Sequence, residues 1–469
     1  MRKAILLFVV VIIGALIAVA IAFRPRFESD PPEVKLSTSA EVVGLAPFEI
    51  TVSDPGSGLK SVSAMLVQGG GEQVLASEQF ASPVPEKKIA VSLSKVSGLK
   101  EGPVVLRVRA RDASFSHWFA GNEAVVEKTF TVDITPPTLE LVADDRYVNF
   151  GGVGAIVYRA SADTATSGVK MGERFFPGFK GVVKGQPESY FALFAHPYDA
   201  APDTKAVLVA TDKAGNTREM RLVYELKNVK YKKSTIALSE AFLQNKVVPL
   251  VTDVAKRQGA VKDVFIAVNK ELRKENDEKI REITSKATPA ILWKEAFAQL
   301  SNSKVEANFA DQRTYTYNGE AIDTAYHLGF DLSVTKNYPV EAANSGTVAF
   351  VGPLGIYGNA VILDHGIGLF TLYGHLNSID VKVGDSVTKR QPLGKTGETG
   401  LAAGDHLHYG VYLDGVAILP VEWWDPKWIA DNVQPKLDGT PTVTEAAPVK
   451  KTAAPVKKPA TPKKHNARR

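Results

Sequence analysis

The chain has 469 residues, enough for about three domains at the usual 100–200 residues per domain. Its composition of 45% hydrophobic, 23% charged and 9% aromatic residues is typical of globular domains, and excludes a wholly disordered, collagen-like or multi-span membrane protein. The chain has no cysteine. This excludes disulfides, thiolate catalysis and cysteine-bound zinc, so any metal site must use histidine and carboxylate.

The net charge of +5 is concentrated at the two ends of the chain. Residues 434–469 contain nine Lys and Arg against two acidic residues, and residues 1–26 contain four basic residues and no acidic one. The body between them is therefore mildly acidic. Because the basic charge lies at the ends, we predict no nucleic-acid partner.

The N-terminus contains twenty consecutive uncharged residues, from Ala4 to Phe23. A helix of this length spans about 30 Å, the thickness of the hydrocarbon core of a bilayer. A cleaved secretion signal is the alternative, since Ala18-Val-Ala20 offers a small-x-small site. The apolar run continues past that site, which favours an uncleaved signal anchor over residues 1–26 and a chain attached to a membrane.

Short alternating segments separated by turn residues fill the region from residue 31 to residue 228. Examples are FEITV at 48–52, followed by DPGSG, and VVLRVRA at 104–110. A weak repeat relates residues 109–132 to residues 209–225, with the dipeptide Pro136-Pro137 between the copies. This pattern predicts two antiparallel β-sandwiches, at 31–135 and 137–228, which resemble the immunoglobulin-like modules of bacterial surfaces and would act as spacers.

Residues 239–300 change to a helical pattern, with Ser239 as a candidate N-cap. We expect two or three solvated helices that form a connector. Residues 434–469 are rich in Pro, Ala, Thr and Lys and lack the apolar surface needed for a core. We predict a disordered basic tail there, with a possible weak contact to an anionic polymer or to lipid.

Five of the eight histidines lie between residues 327 and 408, far more than uniform scattering would place there. In HLGFD at 327–331, strand alternation would place His327 and Asp331 on one face, and in HLHYGV at 406–411 it would do the same for His406 and His408. Two imidazoles and one carboxylate are a set that catalytic zinc uses, with a fourth position left for water.

The ordered motifs HLGFD at 327–331, YGNAVILDHG at 357–366, LYGHL at 372–376 and HLHYGV at 406–411 resemble the lysostaphin-type, or LytM-type, zinc endopeptidases. The resemblance covers residues 305–430 and implies an antiparallel barrel-like β fold with a duplicated hairpin core. It implies that His327, Asp331 and His408 bind one zinc ion per chain, and that His375 and His406 are catalytic without binding the metal. His365 is expected to have a structural role.

Taken together, the sequence predicts a mainly β chain in which a membrane helix, two immunoglobulin-like modules and a helical connector precede a zinc endopeptidase domain. The resemblance implies hydrolysis of peptide bonds in peptidoglycan. Since this polymer lies outside the cytoplasm, residues 24–469 are expected on the periplasmic or extracytoplasmic side of the cytoplasmic membrane. The alternative is a scaffold that binds cell wall, or activates an amidase, through the same groove without cutting.

Overall fold

The computed structural model describes residues 2–251 and 259–439 of the chain. The first helix, α1, runs over Arg2–Phe23 and is followed by a 3₁₀ turn at Arg24–Phe27. In the described parts of the chain, no helix combines the length and the apolar character needed to cross a membrane.

The first β module consists of two sheets that enclose their own core. Its strands are β1 (Glu33–Leu36), β2 (Val42–Val43), β3 (Phe48–Ser53), β4 (Leu59–Gln68), β5 (Gly71–Val84), β6 (Glu86–Val91), β7 (Gly102–Asp112) and β8 (Glu123–Val132). The strand order is β1-β3-β6 in one sheet and β2-β8-β7-β4-β5 in the other. Alternate residues, such as Ile50 and Val52 of β3 and Leu106 of β7, point inward and are buried together. A four-residue turn, α2 (Ser116–Phe119), lies between β7 and β8.

The second β module has the same general plan. Its strands are β9 (Leu139–Ala143), β10 (Tyr147–Asn149), β11 (Val153–Ala160), β12 (Thr164–Met171), β13 (Arg174–Pro177), β14 (Phe179–Lys180), β15 (Tyr190–Ala195), β16 (Ala206–Asp212), β17 (Thr217–Arg221) and β18 (Glu225–Lys227). They form sheets of order β14-β15-β11-β9 and β13-β12-β16-β17, and a parallel pair β10-β18. The predicted β character of both modules is confirmed, whereas their immunoglobulin-like assignment stays a prediction.

Strand β19 (Lys233–Ala237) precedes the connector, which consists of short helices. These are α3 (Glu240–Phe242), α4 (Val261–Ala267) and α5 (Arg273–Thr284), with π turns at Leu243–Val247 and Val268–Leu272 and a 3₁₀ turn at Val248–Leu250. Ser239 is the N-cap of α3, because its Oγ accepts a hydrogen bond of 3.2 Å from the Phe242 amide.

Two expectations for the connector are wrong. The helical pattern ends at Thr284 rather than at residue 300, because the residues beyond it form irregular structure that bonds to the C-terminal domain. The Thr288 amide donates to Asp364 Oδ2 at 2.9 Å, and the Phe297 amide donates to the Trp423 carbonyl at 2.8 Å. The helices are also not merely solvated, since Phe265 and Ile280 are buried in the core that the C-terminal domain uses.

The C-terminal domain is an antiparallel β structure. Its strands are β20 (Lys304–Ala307), β21 (Asp311–Tyr317), β22 (Glu320–His327), β23 (Phe330–Ser333), β24 (Pro339–Glu341), β25 (Gly346–Pro353), β26 (Asn359–Asp364), β27 (Leu369–Gly374), β28 (Ser378–Ile379), β29 (Ser386–Val387), β30 (Pro392–Lys395), β31 (Leu407–Leu413) and β32 (Val416–Ile418). The main sheet has the order β20-β23-β31-β27-β26-β25-β29, with β32 paired to β31. The smaller sheets are β24-β30-β28 and β19-β21-β22, in which β19 and β21 run parallel.

Three short helices close the described chain: α6 (Pro420–Trp424), α7 (Pro426–Asn432) and α8 (Gln434–Leu437). They join the second β module to the C-terminal domain, and both units share one hydrophobic core. Glu422 of α6 accepts hydrogen bonds from Asn149 Nδ2 at 2.8 Å and from the Val153 amide at 2.9 Å. The second module is therefore part of one packed body with the C-terminal domain.

The start of the predicted tail is also corrected. Lys436 and Leu437 are buried, and Lys436 Nζ lies 2.5 Å from Asp145 Oδ1 of the second module. Residues 434–439 therefore belong to the folded part, because a buried ion pair and an apolar contact fix them. The rest of the predicted tail, residues 440–469, lies outside the described residues.

The Lys436–Asp145 pair gives a test of this junction. Its side chains are only 3% and 6% exposed, so Lys436→Met leaves a carboxylate buried without its cation. We expect a loss of about 3–5 kcal/mol in the free energy of unfolding, measured by urea denaturation of the full chain. The double variant Lys436→Met/Asp145→Leu should recover most of this loss.

The matched control for that experiment is Lys427→Met, which removes a lysine from the exposed Lys427–Asp431 pair and should leave the urea midpoint unchanged. An unchanged midpoint for Lys436→Met as well would mean that α8 does not stabilise the body.

Candidate metal centre and active-site cavity

Three strands bring the predicted metal ligands together. His327 is the last residue of β22, Asp331 lies in β23, and His408 lies in β31. Strand β23 pairs antiparallel with β31 so that Asp331 is directly opposite His408. The segment 327–331 is not one continuous strand, as alternation would predict, because β22 ends at His327 and β23 begins at Phe330.

The three side chains place one donor atom each at a common point. His327 Nε2 lies 2.8 Å from Asp331 Oδ1 and 3.0 Å from His408 Nδ1, and Asp331 Oδ1 lies 3.1 Å from His408 Nδ1. Among the described residues they form a possible metal-binding group. Tetrahedral zinc with bonds of about 2.0–2.1 Å needs donors about 3.3 Å apart. The observed separations are shorter by only about 0.2–0.5 Å, so these residues fit zinc with a small outward shift.

Hydrogen bonds on the far side orient the ligands. The Nδ1 of His327 lies 2.9 Å from the Asn308 carbonyl oxygen, to which it donates in the tautomer that leaves Nε2 free for a metal. Burial would raise the pKa of Asp331, but the surrounding His327, His406 and His408 hold that pKa well below its usual value. Burial lowers the pKa of His408 to about 4. The site therefore holds an ionised carboxylate and a neutral His408, the forms that bind metals.

His375 and His406 stand beside these three residues. Their rings are 4.8 Å apart, and the His375 ring lies 5.9 Å from that of His408. His375 Nδ1 lies 2.8 Å from the Thr399 carbonyl and His406 Nδ1 lies 2.8 Å from the Gly404 carbonyl, so both rings are held by their Nδ1 side. His406 Nε2 is 3.5 Å from Asp331 Oδ1. The structure thus brings all five predicted site residues into one cluster.

The environments of these two histidines shift their pKa values in opposite directions. Burial, with His406 and His408 nearby, lowers the pKa of His375 to about 3. Burial alone would lower the pKa of His406, but the Asp331 carboxylate outweighs it and raises that pKa.

His365 lies apart from this cluster. It is fully buried, and its ring is held by the Ser345 carbonyl at 2.7 Å from Nδ1 and by Thr371 Oγ1 at 2.7 Å from Nε2. Burial lowers its pKa to about 4. Both ring nitrogens are occupied by protein partners, which agrees with the structural role expected for it.

A cavity of about 390 Å³ opens onto the five residues. Another part of its wall comes from Ile236 of β19, the adjacent Leu238, and the connector residues Phe242, Phe265 and Arg273. Phe265 is held in this wall by an edge-on contact with Tyr315, with 4.9 Å between the ring centroids. The cavity therefore combines apolar side chains from β19 and the connector with the five titratable residues of the cluster.

Two features of this cavity were not predicted from the sequence. One is the connector wall, for which the helical pattern carries no signal. The other is Arg313 of β21, whose Nη2 donates to Asp331 Oδ2 at 3.0 Å. The β21–β22 pairing sets Asp311 opposite His327, which brings Arg313 near the site. This register could not be predicted from the sequence, because it shifts between Tyr315 and Thr316.

Residues 325–420 match peptidase family M23. DD-carboxypeptidase/endopeptidase Mpg of Neisseria meningitidis is 38% identical over 95 residues, which are 20% of this chain and 22% of that protein. Peptidoglycan DD-endopeptidase ShyA of Vibrio cholerae is 32% identical over 115 residues, 24% of this chain and 26% of that protein. The match therefore spans about a quarter or less of the length of these two relatives.

Among solved structures, the catalytic domain of the peptidase lysostaphin from Staphylococcus simulans is 28% identical. The similarity covers 28% of this chain and 98% of the lysostaphin catalytic domain, with a TM-score of 0.24.

Gly329 permits the close approach of His408, and this can be tested. A Cβ at Gly329 would lie 2.6 Å from His408 Nε2 and 2.6 Å from the Tyr409 carbonyl oxygen. Since neither can move freely, we expect Gly329→Ala to displace His408 and to weaken zinc binding by about 10-fold or more, measured by competition with a chelating indicator.

The control is Gly404→Ala in the loop before His406, because a Cβ there meets no atom within 4 Å. Equal zinc affinity for the two variants would show that Gly329 does not control the position of His408.

Proposed function

We propose that this chain, which carries a peptidase family M23 domain at residues 325–420, is a zinc metalloendopeptidase that cuts peptide bonds in peptidoglycan stem peptides or cross-links. The observation that carries the proposal is the convergence of His327 Nε2, Asp331 Oδ1 and His408 Nδ1 within 2.8–3.1 Å of one another at the wall of a cavity. The substrate class is supported by the names of the relatives Mpg and ShyA, which are a DD-carboxypeptidase/endopeptidase and a peptidoglycan DD-endopeptidase.

The five residues of the cluster have two roles, metal binding and proton transfer. Zinc held by His327, Asp331 and His408 would supply a Lewis acid and lower the pKa of bound water to about 7. His375 and His406 are fixed through their Nδ1 atoms by the Thr399 and Gly404 carbonyls, which leaves Nε2 of each ring to exchange a proton. One of these atoms can take a proton from the attacking water and the other can give one to the leaving amine. The apolar side chains of the connector wall would pack against a bound peptide.

A pair of variants tests this division. His408→Ala removes a ligand, so both bound zinc and hydrolysis should be lost. His375→Ala removes proton transfer and leaves the donor set complete, so zinc content should stay near one per chain while turnover falls by about 10²–10⁴-fold. Zinc is measured by elemental analysis of purified protein, and hydrolysis by the new amino termini released from purified peptidoglycan.

The exposed His117 of the first module gives a control, since His117→Ala should change neither quantity. Loss of zinc in His375→Ala would make His375 a ligand. Full zinc in the wild-type protein without any release of amino termini would instead favour the non-catalytic scaffold that binds cell wall or activates an amidase.

We further propose that residues 1–26 anchor the chain in the cytoplasmic membrane, with residues 24–469 on the periplasmic or extracytoplasmic side, where peptidoglycan lies. No helix in the described residues has the length and the apolar character to cross a membrane, so the sequence carries this proposal. The uncharged run from Ala4 to Phe23 supports an anchor. So does the turn at residues 116–119, where Trp118 is 95% exposed and Phe119 is 66% exposed. The preceding Phe115 ring packs 5.8 Å from Phe23, which places these aromatic residues beside the end of α1. The weak contact of residues 440–469 with anionic polymer or lipid stays a prediction.

Fractionation of cells tests the anchor. The full chain should remain in the membrane pellet after washes with high salt and alkaline carbonate, because apolar insertion resists both. A chain that lacks residues 1–26 should be released into the soluble fraction. A chain that lacks residues 440–469 serves as the control and should stay in the pellet. Recovery of the full-length protein in the soluble fraction, or a mature N-terminus near residue 21, would overturn the anchor.

A further inference from the structure

The carboxylate of Asp331 is shared between two different sets of partners. Its Oδ1 faces the histidines, at 2.8 Å from His327 Nε2 and 3.1 Å from His408 Nδ1. Its Oδ2 accepts a hydrogen bond of 3.0 Å from Arg313 Nη2. A carboxylate can bind a metal through one oxygen or through both. The guanidinium occupies the second oxygen here, which leaves Oδ1 alone for the metal.

A second carboxylate, that of Asp311, lies near Arg313 at ion-pair distance without a hydrogen bond. Asp311, two residues earlier on the same face of β21, puts Oδ2 at 4.0 Å from Arg313 Nε. That Oδ2 accepts a hydrogen bond of 2.7 Å from Ser234 Oγ. Ser234 belongs to β19, the strand that pairs parallel with β21 and sets Ser234 beside Arg313. A chain of polar contacts therefore runs from Ser234 through Asp311 and Arg313 to Asp331.

Burial of Arg313, Asp331 and Asp311 strengthens the electrostatic contacts between them. The side chains of Arg313 and Asp331 are 19% and 14% exposed, and that of Asp311 is 4% exposed. Water competes poorly for charges at such depth, so the attraction of the guanidinium to both carboxylates is only weakly screened. Its planar fork can address two carboxylates at once, which the single ammonium of a lysine does less well.

We propose that Arg313 is a positioning residue that holds Asp331 in one-oxygen coordination of the metal, and that Asp311 and Ser234 fix Arg313 for this task. The inference rests on the proposed function, because it concerns the same metal centre. It adds a determinant of metal affinity and geometry from strands β19 and β21, which precede the residues matched by the peptidase family.

The test measures the metal directly, on the full chain in detergent. Arg313→Gln should weaken zinc binding by about 10–100-fold in competition with a chelating indicator, the range typical of residues that orient metal ligands. The absorption spectrum of the Co²⁺-substituted protein should change in position or intensity, because Asp331 is free to rotate and bind through both oxygens. Arg313→Lys keeps the positive charge but loses the planar guanidinium, so its zinc affinity should lie between those of the wild type and Arg313→Gln.

Arg273→Gln is the matched control. Arg273 lines the same cavity, but its Nη2 donates to Asn269 Oδ1 at 3.0 Å and not to Asp331. This variant also removes an arginine from the cavity, yet zinc affinity and the Co²⁺ spectrum should stay at wild-type values. If Arg313→Gln fails to fold, as judged by circular dichroism of the metal-free protein, Asp311→Asn tests the same chain of contacts, with a smaller loss of zinc affinity expected.

The possible results separate this inference from the proposed function. A wild-type chain that does not bind zinc contradicts the proposed function itself. A wild-type chain that binds zinc, with Arg313→Gln within about twofold of it and an unchanged Co²⁺ spectrum, overturns the role of Arg313 alone. A raised KM with unchanged metal binding would likewise overturn it, because Arg313 would then contact the substrate instead.

Discussion

One largely buried carboxylate, that of Asp331, is the charge around which the candidate site is built. Its Oδ1 lies within 3.5 Å of a nitrogen of His327, His406 and His408, and its Oδ2 receives the Arg313 guanidinium. An ionised carboxylate at this depth is costly unless it is compensated. The imidazoles and the guanidinium supply that compensation, which explains why three histidines and an arginine from four different strands or loops converge on it. A metal ion would take over much of the same task.

The sequence predicted the donors of this site but not their supports. The motifs HLGFD and HLHYGV identified these donors through their resemblance to the LytM-type peptidases. Strand alternation alone does not account for His327 and Asp331, because β22 ends at His327 and β23 begins at Phe330. Arg313 reaches Asp331 only through the pairing of β21 with β22 and of β22 with the rest of the domain. Such register depends on bulges and turns that a single sequence does not determine.

The same distinction applies to the fold. Alternating apolar residues predicted β structure in this part of the chain, because period-two burial is a local property. The predicted start of the disordered tail at residue 434 was wrong. The Pro- and Lys-rich composition gave no sign that Leu437 is buried, or that Lys436 is buried by pairing with Asp145. The expectation of spacers missed the shared core for a similar reason. A contact between units nearly 300 residues apart leaves no periodic signal in either of them.

These contacts define a functional unit larger than the residues matched by the peptidase family. Strand β19 pairs with β21, and the helices of the connector supply one wall of the cavity through Phe242, Phe265 and Arg273. Helix α6 carries Glu422 into the second β module, which shares its core with the peptidase domain. The first module, in contrast, encloses a separate core. The physical unit that shapes the site therefore begins at about residue 137 and ends at about residue 439, and the connector within it is part of the active-site cavity.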